Sequence, residues 1–199
     1  MNLFELIDDT PKHNTFISFH HEDEYYKYEI ETDWGNYADG FISKAVGDGD
    51  IDPSLKTETI RQKIRDEFIS EATVTMVLIG DGTWRRKHVD WEIGSSLINT
   101  RLNTRTGLLG IIIPTYYRSI YLKSELTENG EQYNPNTIPP RLYDNVRCGY
   151  AKIYSWPSNP RIVKTWIHEA FERQKTIEPD QSRAWFGYNR SDQLTHWES

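Results

Sequence analysis

Glu92 is the residue of this sequence best placed to do chemistry. It lies in the segment VTMVLIGDGTWRRKHVDWEI at residues 74–93, where an apolar run typical of a buried strand leads into a glycine-containing turn and then a predicted helix. A fixed carboxylate in such a place can stabilise positive charge that develops during a reaction. A helix-surface carboxylate beside Trp91 is the alternative interpretation of the same pattern.

The elements that would position Glu92 alternate between strands and helices. Short apolar and β-branched runs predict buried strands at residues 15–19, 74–79, 108–113 and 149–154, and an edge strand around 41–45. Apolar residues at helical spacing predict helices over 23–30, 53–69, 89–97 and from residue 160 onward. Because strands alternate with helices, the sequence predicts an α/β fold with a doubly wound parallel sheet.

Several local patterns make more specific predictions. Tyr25, Tyr28 and Ile30 share the side of the first helix that we expect to be covered. Asp52 with Pro53 is a typical helix cap and first helical residue. Residues 116–145 contain glycine and several prolines, which favour a long loop. The last helix carries an apolar stripe formed by Ile162, Val163, Trp166, Ile167, Ala170 and Phe171.

The chain length and the distribution of aromatic residues predict the domain organisation. A chain of 199 residues is long enough for one compact domain with its own core. We expect an N-terminal segment over 1–12, the single domain over 13–177 and a C-terminal tail over 178–199. The tail carries Trp185, Phe186, Tyr188 and Trp197 on a polar background. Such a segment docks either on its own domain or on a second subunit, so a homo-oligomer is one of two possibilities.

Composition narrows the classes of partner and the compartment. A net charge of −7 argues against nucleic-acid binding, which needs a basic face, and the run Arg85-Arg86-Lys87 is too short to change this. That run is either a solvated face or a site of phosphate attraction. With one cysteine and no signal-peptide or membrane-spanning pattern, the sequence predicts a cytoplasmic protein without a membrane partner.

The predicted topology also places the ligand site. In doubly wound sheets, ligands bind at the carboxyl ends of the strands. The residues predicted at this edge are 18–23 after the first strand, 80–84 after the second central strand and 114–117 after the third. Glu92 lies on the helix that follows the second of these strands, so we expect it to face the same crevice. Phe19 and Trp84 are either pocket walls or ordinary core residues.

Acidic residues occupy alternate positions near residue 50, as they do at the start of a calcium-binding loop. Asp48, Asp50 and Asp52 have the spacing of its first ligands. Pro53 stands where that loop needs glycine, and Thr59 stands where it needs a bidentate glutamate. A solvated acidic loop is therefore the preferred interpretation.

Other motifs are also incomplete. His20 and His21 are adjacent on an extended chain, so their side chains should point apart, and no metal site is predicted. The turn GDGTW lacks the GxGxxG spacing of dinucleotide sites, and no GxSxG nucleophile motif occurs. Cys148 is predicted to be a buried, inert thiol rather than a nucleophile.

Several motifs, in this order, resemble the TIR-like domain of bacterial Thoeris antiphage defence systems. They are FISFHHED, IRQKIRDEFISEATVTMVLIGDGTW, VDWEI, LLGIIIP and NTIPPRLYDNV, between about residues 13 and 174. The resemblance implies a flavodoxin-like fold. As in enzymatic TIR domains, it also implies that NAD is a substrate and that no separate cofactor is needed.

The resemblance further implies roles for particular residues. Glu92 matches the glutamate that cleaves NAD in the enzymatic members. The implied substrate-binding residues are Phe19, His20, Asp81, Thr83, Trp84 and His88. His88 stands where relatives usually carry an aromatic residue, often tryptophan, so the pocket wall and the choice of product are expected to differ there.

The implied reaction releases nicotinamide and makes an ADP-ribose-derived messenger, often cyclic, that activates a partner effector protein after a phage trigger. Nicotinamide leaves as a neutral ring, so a single carboxylate, Glu92, can serve by stabilising an oxocarbenium-like ribose. Phe19 or Trp84 would hold the nicotinamide ring and exclude water. The alternatives are a non-catalytic TIR-like scaffold that acts by assembly and a phospho-acceptor receiver whose acidic pair would be Glu22 and Asp23.

Overall fold

A parallel sheet forms the centre of the fold in the computed structural model, which describes residues 9–35, 40–42, 52, 54–116 and 125–198. Its strands are β1 (Asn14–Ser18), β2 (Gly40–Ile42), β3 (Val74–Ile79), β4 (Gly107–Ile112) and β7 (Ala151–Ser155). Between β4 and β7, the short strands β5 (Glu125–Leu126) and β6 (Gln132–Tyr133) pair with each other in antiparallel fashion. The sheet order is β2-β1-β3-β4-β7 with every pairing parallel, which is the flavodoxin-like order and confirms the predicted fold class.

Helices cover both faces of this sheet. They are α1 (Glu24–Asp33), α2 (Thr57–Lys63), α3 (Lys87–Ser96), α4 (Pro140–Arg147) and α5 (Ile162–Thr176). A π-helical turn, Ile64–Phe68, continues α2. Helices α1 and α5 pack on one face of the sheet, and α2, α3 and α4 pack on the other.

Strand β3 shows how the sheet is held between these layers. All six of its residues are buried. Met76 and Leu78 pack with α1 and α5, whereas Val77 and Ile79 pack with α3 and α4, because successive side chains of a strand point to opposite faces. Each such aliphatic side chain contributes roughly 1.5–3 kcal/mol on burial. The continuous apolar run is therefore the signature of a strand covered on both sides, as predicted.

The structure corrects the predicted start of α2 and contains the predicted edge strand. The helix begins at Thr57, and Asp52 instead accepts a hydrogen bond from the Ser54 backbone N–H at 2.9 Å, so Asp52 caps a turn. Pro53 lies outside the described residues, as do Asp48 and Asp50 of the calcium-like pattern. The predicted edge strand is found at Gly40–Ile42, and its expected continuation over 43–45 also lies outside them.

Three further predictions are wrong. Tyr25 and Tyr28 are exposed by 69% and 64%, because α1 buries Ile30 and turns these tyrosines outward. The span 116–145 was expected to be a long loop, but it contains β5, β6 and α4, with residues 117–124 outside the described part. Cys148 is exposed because it follows the last turn of α4 at the surface.

The C-terminal tail docks on its own domain, where it runs along α3 and α4. The Phe186 carbonyl accepts a hydrogen bond from Trp91 Nε1 at 2.9 Å, and the Arg190 backbone N–H donates to the Arg85 carbonyl at 2.8 Å. The Trp197 backbone N–H donates to the Asn136 carbonyl at 2.9 Å. The structure therefore shows the predicted docking mode in which the tail packs on its own domain.

Across the described residues, no helix has the length and apolar character required to span a bilayer.

Candidate active site

Three loops meet at the carboxyl edge of the sheet, because β3 lies between β1 and β4. Asp23 joins all three loops. Its Oδ1 accepts a hydrogen bond from Thr115 Oγ1 at 2.7 Å, and its carboxylate also accepts one from the Thr83 side chain. Thr83 Oγ1 in turn accepts a hydrogen bond from the Gly80 backbone N–H at 2.9 Å. Gly80 is required here because a Cβ would overlap the Asp23 carboxylate. Burial raises the pKa of Asp23, although the hydrogen bond from Thr115 opposes the shift. These contacts fix the relative positions of the three loops at the site.

Glu92 reaches this edge from α3. Its side chain is only 2% exposed, so it is not a helix-surface carboxylate. Ser18, the last residue of β1, donates a hydrogen bond from its hydroxyl to Glu92 Oε2 at 2.6 Å. The carboxylate is thus oriented at the junction of β1 and β3, where the strand order reverses and where ligands bind in sheets of this order.

Helix α3 is covered on both sides, which explains how it can bury a carboxylate. Val89 and Ile93 pack on the sheet side, while Trp91 faces the tail. On the tail side, Asp90 forms a buried ion pair with Arg141 of α4, with Asp90 Oδ1 and Arg141 Nε 2.9 Å apart. The helix therefore has no solvent-facing side from residue 89 to residue 96.

His20 lies beside Glu22 and the turn after β3. It is 4% exposed, and a Cβ at Gly82 would lie 3.1 Å from its Cδ2. Burial, with further contributions from the Arg86 guanidinium and His21, lowers the pKa of His20 to about 4, while Glu22 opposes the shift. The imidazole is therefore uncharged at neutral pH. The prediction that His20 and His21 point apart is wrong, because a 3-10 turn (His21–Asp23) begins there and brings the ring centroids to 4.2 Å.

The two aromatic candidates differ in burial. Trp84 is 3% exposed and, with Asp81 and Arg85, lines a cavity of about 340 Å³ that Asp192 and Leu194 of the tail also line. Phe19 is half-buried at the margin of the core, and the Lys27 ammonium lies 5.8 Å from its ring centroid. Both side chains thus pack against other residues, as the core interpretation requires. Both also lie next to the carboxyl edge.

The remaining predicted residues lie in the turn and in the first helical turn that follow β3. Thr83 is buried where the three loops are fastened together, and Asp81 is exposed. His88 is half-buried in α3, and its ring centroid lies 5.7 Å from that of Trp91. Since Trp91 contacts the tail, this ring packs on the tail side of the helix.

The basic run before α3 is paired with acidic groups of the same chain. Arg85 lies 3.4 Å and Arg86 3.7 Å from Asp192 Oδ1, and Arg85 also lies 3.9 Å from Asp81. Lys87 instead lies over the ring of Trp91, 5.3 Å from its centroid. The run therefore helps to hold the tail on the domain.

Ser18 and Thr115 were among the residues predicted at the carboxyl edge, although the sequence did not show which groups they would contact. Sequence reasoning missed the residues that join two helices. The pair Asp90 and Arg141 gave no local signal, since its members are 51 positions apart. Hydrogen-bonding residues at strand ends can be anticipated from topology, whereas a pair formed between two helices cannot.

A flavodoxin-like parallel sheet with helices on both faces is the fold of a TIR-like domain. The sequence matches the family described as Thoeris protein ThsB, TIR-like domain, over residues 16–117, which is just over half of the chain. The chain belongs to this family, and the family places it in antiphage defence. The matched region includes the end of β1, strands β2, β3 and β4, and Glu92. A comparison with curated proteins found no match.

Proposed function

We propose that this protein cleaves NAD between nicotinamide and ribose and converts the ADP-ribose part into a signal, often a cyclic one, that activates a partner effector. The observation that carries the proposal is the Glu92 carboxylate, buried at the carboxyl edge and oriented by Ser18 at 2.6 Å. A buried carboxylate with a fixed orientation is what the stabilisation of a cationic transition state requires.

The reaction needs little beyond this charge. The nicotinamide ring of NAD is already cationic and leaves as a neutral molecule, so no group has to protonate it. The ribose carbon that it leaves acquires oxocarbenium character, which a nearby carboxylate stabilises. Glu92 would supply that charge and would accept a hydrogen bond from a ribose hydroxyl, in the place where Ser18 now donates.

The surroundings of Glu92 suit a cationic substrate. Because the pKa of His20 is lowered to about 4, chiefly by burial, its imidazole does not repel the pyridinium ring at neutral pH. Phe19 and Trp84 lie in the segments that follow β1 and β3 at the same edge. Exclusion of water there would favour capture of the ribosyl carbon by another group of the substrate over capture by water.

The burial of Glu92 makes the activity conditional. With 2% of the side chain exposed, NAD reaches the carboxylate only if a neighbouring group at the edge moves aside. We therefore expect low basal turnover and a large increase when a phage-derived trigger is present. The assay must therefore compare the protein with and without such a trigger.

The test is nicotinamide release from NAD by purified full-length protein, measured with and without lysate from phage-infected cells. Glu92→Gln preserves the shape of the side chain and its ability to accept from Ser18, but removes the charge. We expect it to lose activity by about 10²–10³-fold, the usual effect of removing a key electrostatic group. Glu131→Gln, at an exposed site in the β5–β6 turn, is the matched control and should keep full activity. Mass spectrometry identifies the ADP-ribose-derived product.

Two results would contradict the proposal. Undiminished nicotinamide release by a correctly folded Glu92→Gln protein would mean that the carboxylate is not catalytic. Absence of release from the unmodified protein under every trigger condition would favour a scaffold that acts by assembly.

An exposed aromatic surface on α1 favours this second function. Tyr25 and Tyr28 are 69% and 64% exposed, and side chains of this type are common at protein interfaces. Light scattering of the protein and of a Tyr25→Ser, Tyr28→Ser double variant distinguishes the functions. Assembly that depends on these residues, together with the absence of nicotinamide release, would support the scaffold.

A further inference from the structure

Three potential metal ligands come together where the chain leaves β1. His20, His21 and Glu22 each present one ligand atom, and these three atoms lie within 4.8 Å of one another. The cluster forms because the backbone enters a 3-10 turn at His21 and does not remain extended. The imidazole rings of the two histidines meet edge to face with their centroids 4.2 Å apart. Local backbone geometry thus creates a ligand set from adjacent residues.

The buried member of this cluster has an unsatisfied ring nitrogen. His20 is 4% exposed, and its Nε2 is buried and makes no hydrogen bond. Glu22 Oε2 lies 3.3 Å away, which is an ion-pair distance. A buried polar atom without a hydrogen bond is unfavourable, and a ligand on Nε2 would relieve this.

The spacing of the two atoms fits a zinc ion. Zinc binds imidazole nitrogen and carboxylate oxygen at about 2.0–2.2 Å in tetrahedral geometry, which sets neighbouring ligand atoms about 3.3–3.5 Å apart. His20 Nε2 and Glu22 Oε2 are already at this separation. His21 and Glu22 are exposed, so rotation of their side chains can complete the set without disturbing the core.

We propose that His20, His21 and Glu22 bind one divalent transition-metal ion, with Zn²⁺ as the best match, and leave its fourth position open to solvent. Two imidazoles and one carboxylate favour zinc over Mg²⁺ and Ca²⁺, which prefer an all-oxygen set. The site lies just beyond the carboxyl end of β1, which ends at Ser18, and it depends on the turn that begins at His21.

The surrounding charges set the strength of the site. The Arg86 guanidinium lies near His20 and repels a cation, but Arg86 is paired with Asp192 at 3.7 Å. Glu22 contributes a negative charge to the ligand set itself. We therefore expect moderate affinity, suited to reversible occupation and not to a permanent structural ion.

Reversible occupation would affect the proposed reaction. His20 borders the place assigned to NAD, so a bound ion would withdraw its imidazole from the substrate and inhibit nicotinamide release. This inhibition rests on the proposed function, whereas binding of the ion does not. A direct binding measurement therefore tests the metal site even if the chain does not cleave NAD.

The experiment is calorimetric titration of the full-length protein with Zn²⁺, accompanied by Co²⁺ absorption spectroscopy to report tetrahedral coordination. All proteins carry Cys148→Ser, which removes the exposed thiol as a competing ligand. We expect one ion per chain and a loss of affinity of at least about tenfold in His21→Ala and in Glu22→Gln. Glu24→Gln, an exposed carboxylate on the next helical turn, is the matched control and should bind normally.

His20→Ala should abolish the visible Co²⁺ spectrum, but this variant alters a buried position. His21→Ala and Glu22→Gln alter exposed side chains, so they test the site without depending on that variant. Failure of the protein to bind Zn²⁺ with one-to-one stoichiometry would overturn the proposal. Equal affinity of His21→Ala, Glu22→Gln and Glu24→Gln would overturn it as well.

Discussion

Neutralising Asp90 should separate the tail from α3 and destabilise the domain. Asp90 Oδ1 accepts a hydrogen bond from Arg141 Nε at 2.9 Å, and Asp90 Oδ2 accepts from Arg141 Nη2 at 3.2 Å and from the Phe186 backbone N–H at 3.0 Å. The side chains of Asp90 and Arg141 are 2% and 1% exposed. One carboxylate therefore joins α3, α4 and the tail away from water.

The magnitude follows from the charge that is left behind. Removing one member of a buried ion pair costs about 3–5 kcal/mol, because the remaining charge has no counter-ion. Arg141 also donates to the carbonyls of Arg183 and Ala184, both at 3.1 Å, and these contacts remain in Asp90→Asn. We therefore expect a loss near the lower limit, about 3 kcal/mol. Against a typical domain stability of about 5–15 kcal/mol, this loss is large.

Urea denaturation at neutral pH, followed by tryptophan fluorescence, measures the change in the free energy of unfolding. Asp144→Asn is the matched control, since Asp144 pairs with Arg183 but both side chains are partly exposed, by 18% and 23%. We expect this control to lose no more than about 1 kcal/mol. Combining Asp90→Asn with Arg141→Met should recover part of the loss, because no isolated charge then remains in the interior.

Equal destabilisation by Asp90→Asn and Asp144→Asn would mean that the buried ion pair is not worth more than the exposed one. If the effects of Asp90→Asn and Arg141→Met simply added in the double variant, the isolated Arg141 charge would not be the cause of the loss. Limited proteolysis gives a separate measure, since detachment of the tail should make it cleavable while the sheet remains resistant.

Three further outcomes are expected. Since burial lowers the pKa of His20 to about 4, below its ordinary value of 6.5, the folded chain binds fewer protons between these values, so the free energy of unfolding should fall as pH drops from 6.5 to 4. Urea titrations should find this fall reduced in His20→Gln. A Cβ at Gly94 would lie 2.8 Å from Trp185 Cζ2, so Gly94→Ala should lower stability by about 1–3 kcal/mol, whereas Gly187→Ala, with open space around it, should have little effect in the same assay. Cys148 should react with a thiol reagent in the folded protein as fast as an exposed cysteine, and slow labelling would contradict its exposure.

The sheet was the most predictable part of the molecule. The run over 74–79 is apolar at nearly every position, and a strand covered by helices on both faces is the structure that such a run favours. The parallel order then follows from the alternation of strands and helices. The same topology places Glu92 near the carboxyl edge, since a helix that follows β3 begins there.

Helix α4 and the exposure of individual side chains on α1 were less predictable. Prolines near residue 140 suggested a loop, but Pro140 occupies the first turn of α4, where a backbone N–H is not needed for helical hydrogen bonding. Tyr25 and Tyr28 were expected on the covered side together with Ile30. The side of a short helix that faces a sheet is decided by its neighbours, and of these three residues α1 buries only Ile30.

The docked tail has a consequence for the time at which the site is completed during synthesis. Phe186, which donates to Asp90, follows it by 96 residues. At a translation rate of about 5–20 residues per second, the partner of α3 leaves the ribosome about 5–20 s after the helix itself. Until then the outer side of α3 lacks its cover, so a nascent chain carries Glu92 on an incompletely packed helix. A defence protein built in this way completes the packing of its site only after the segment around Phe186 has been made.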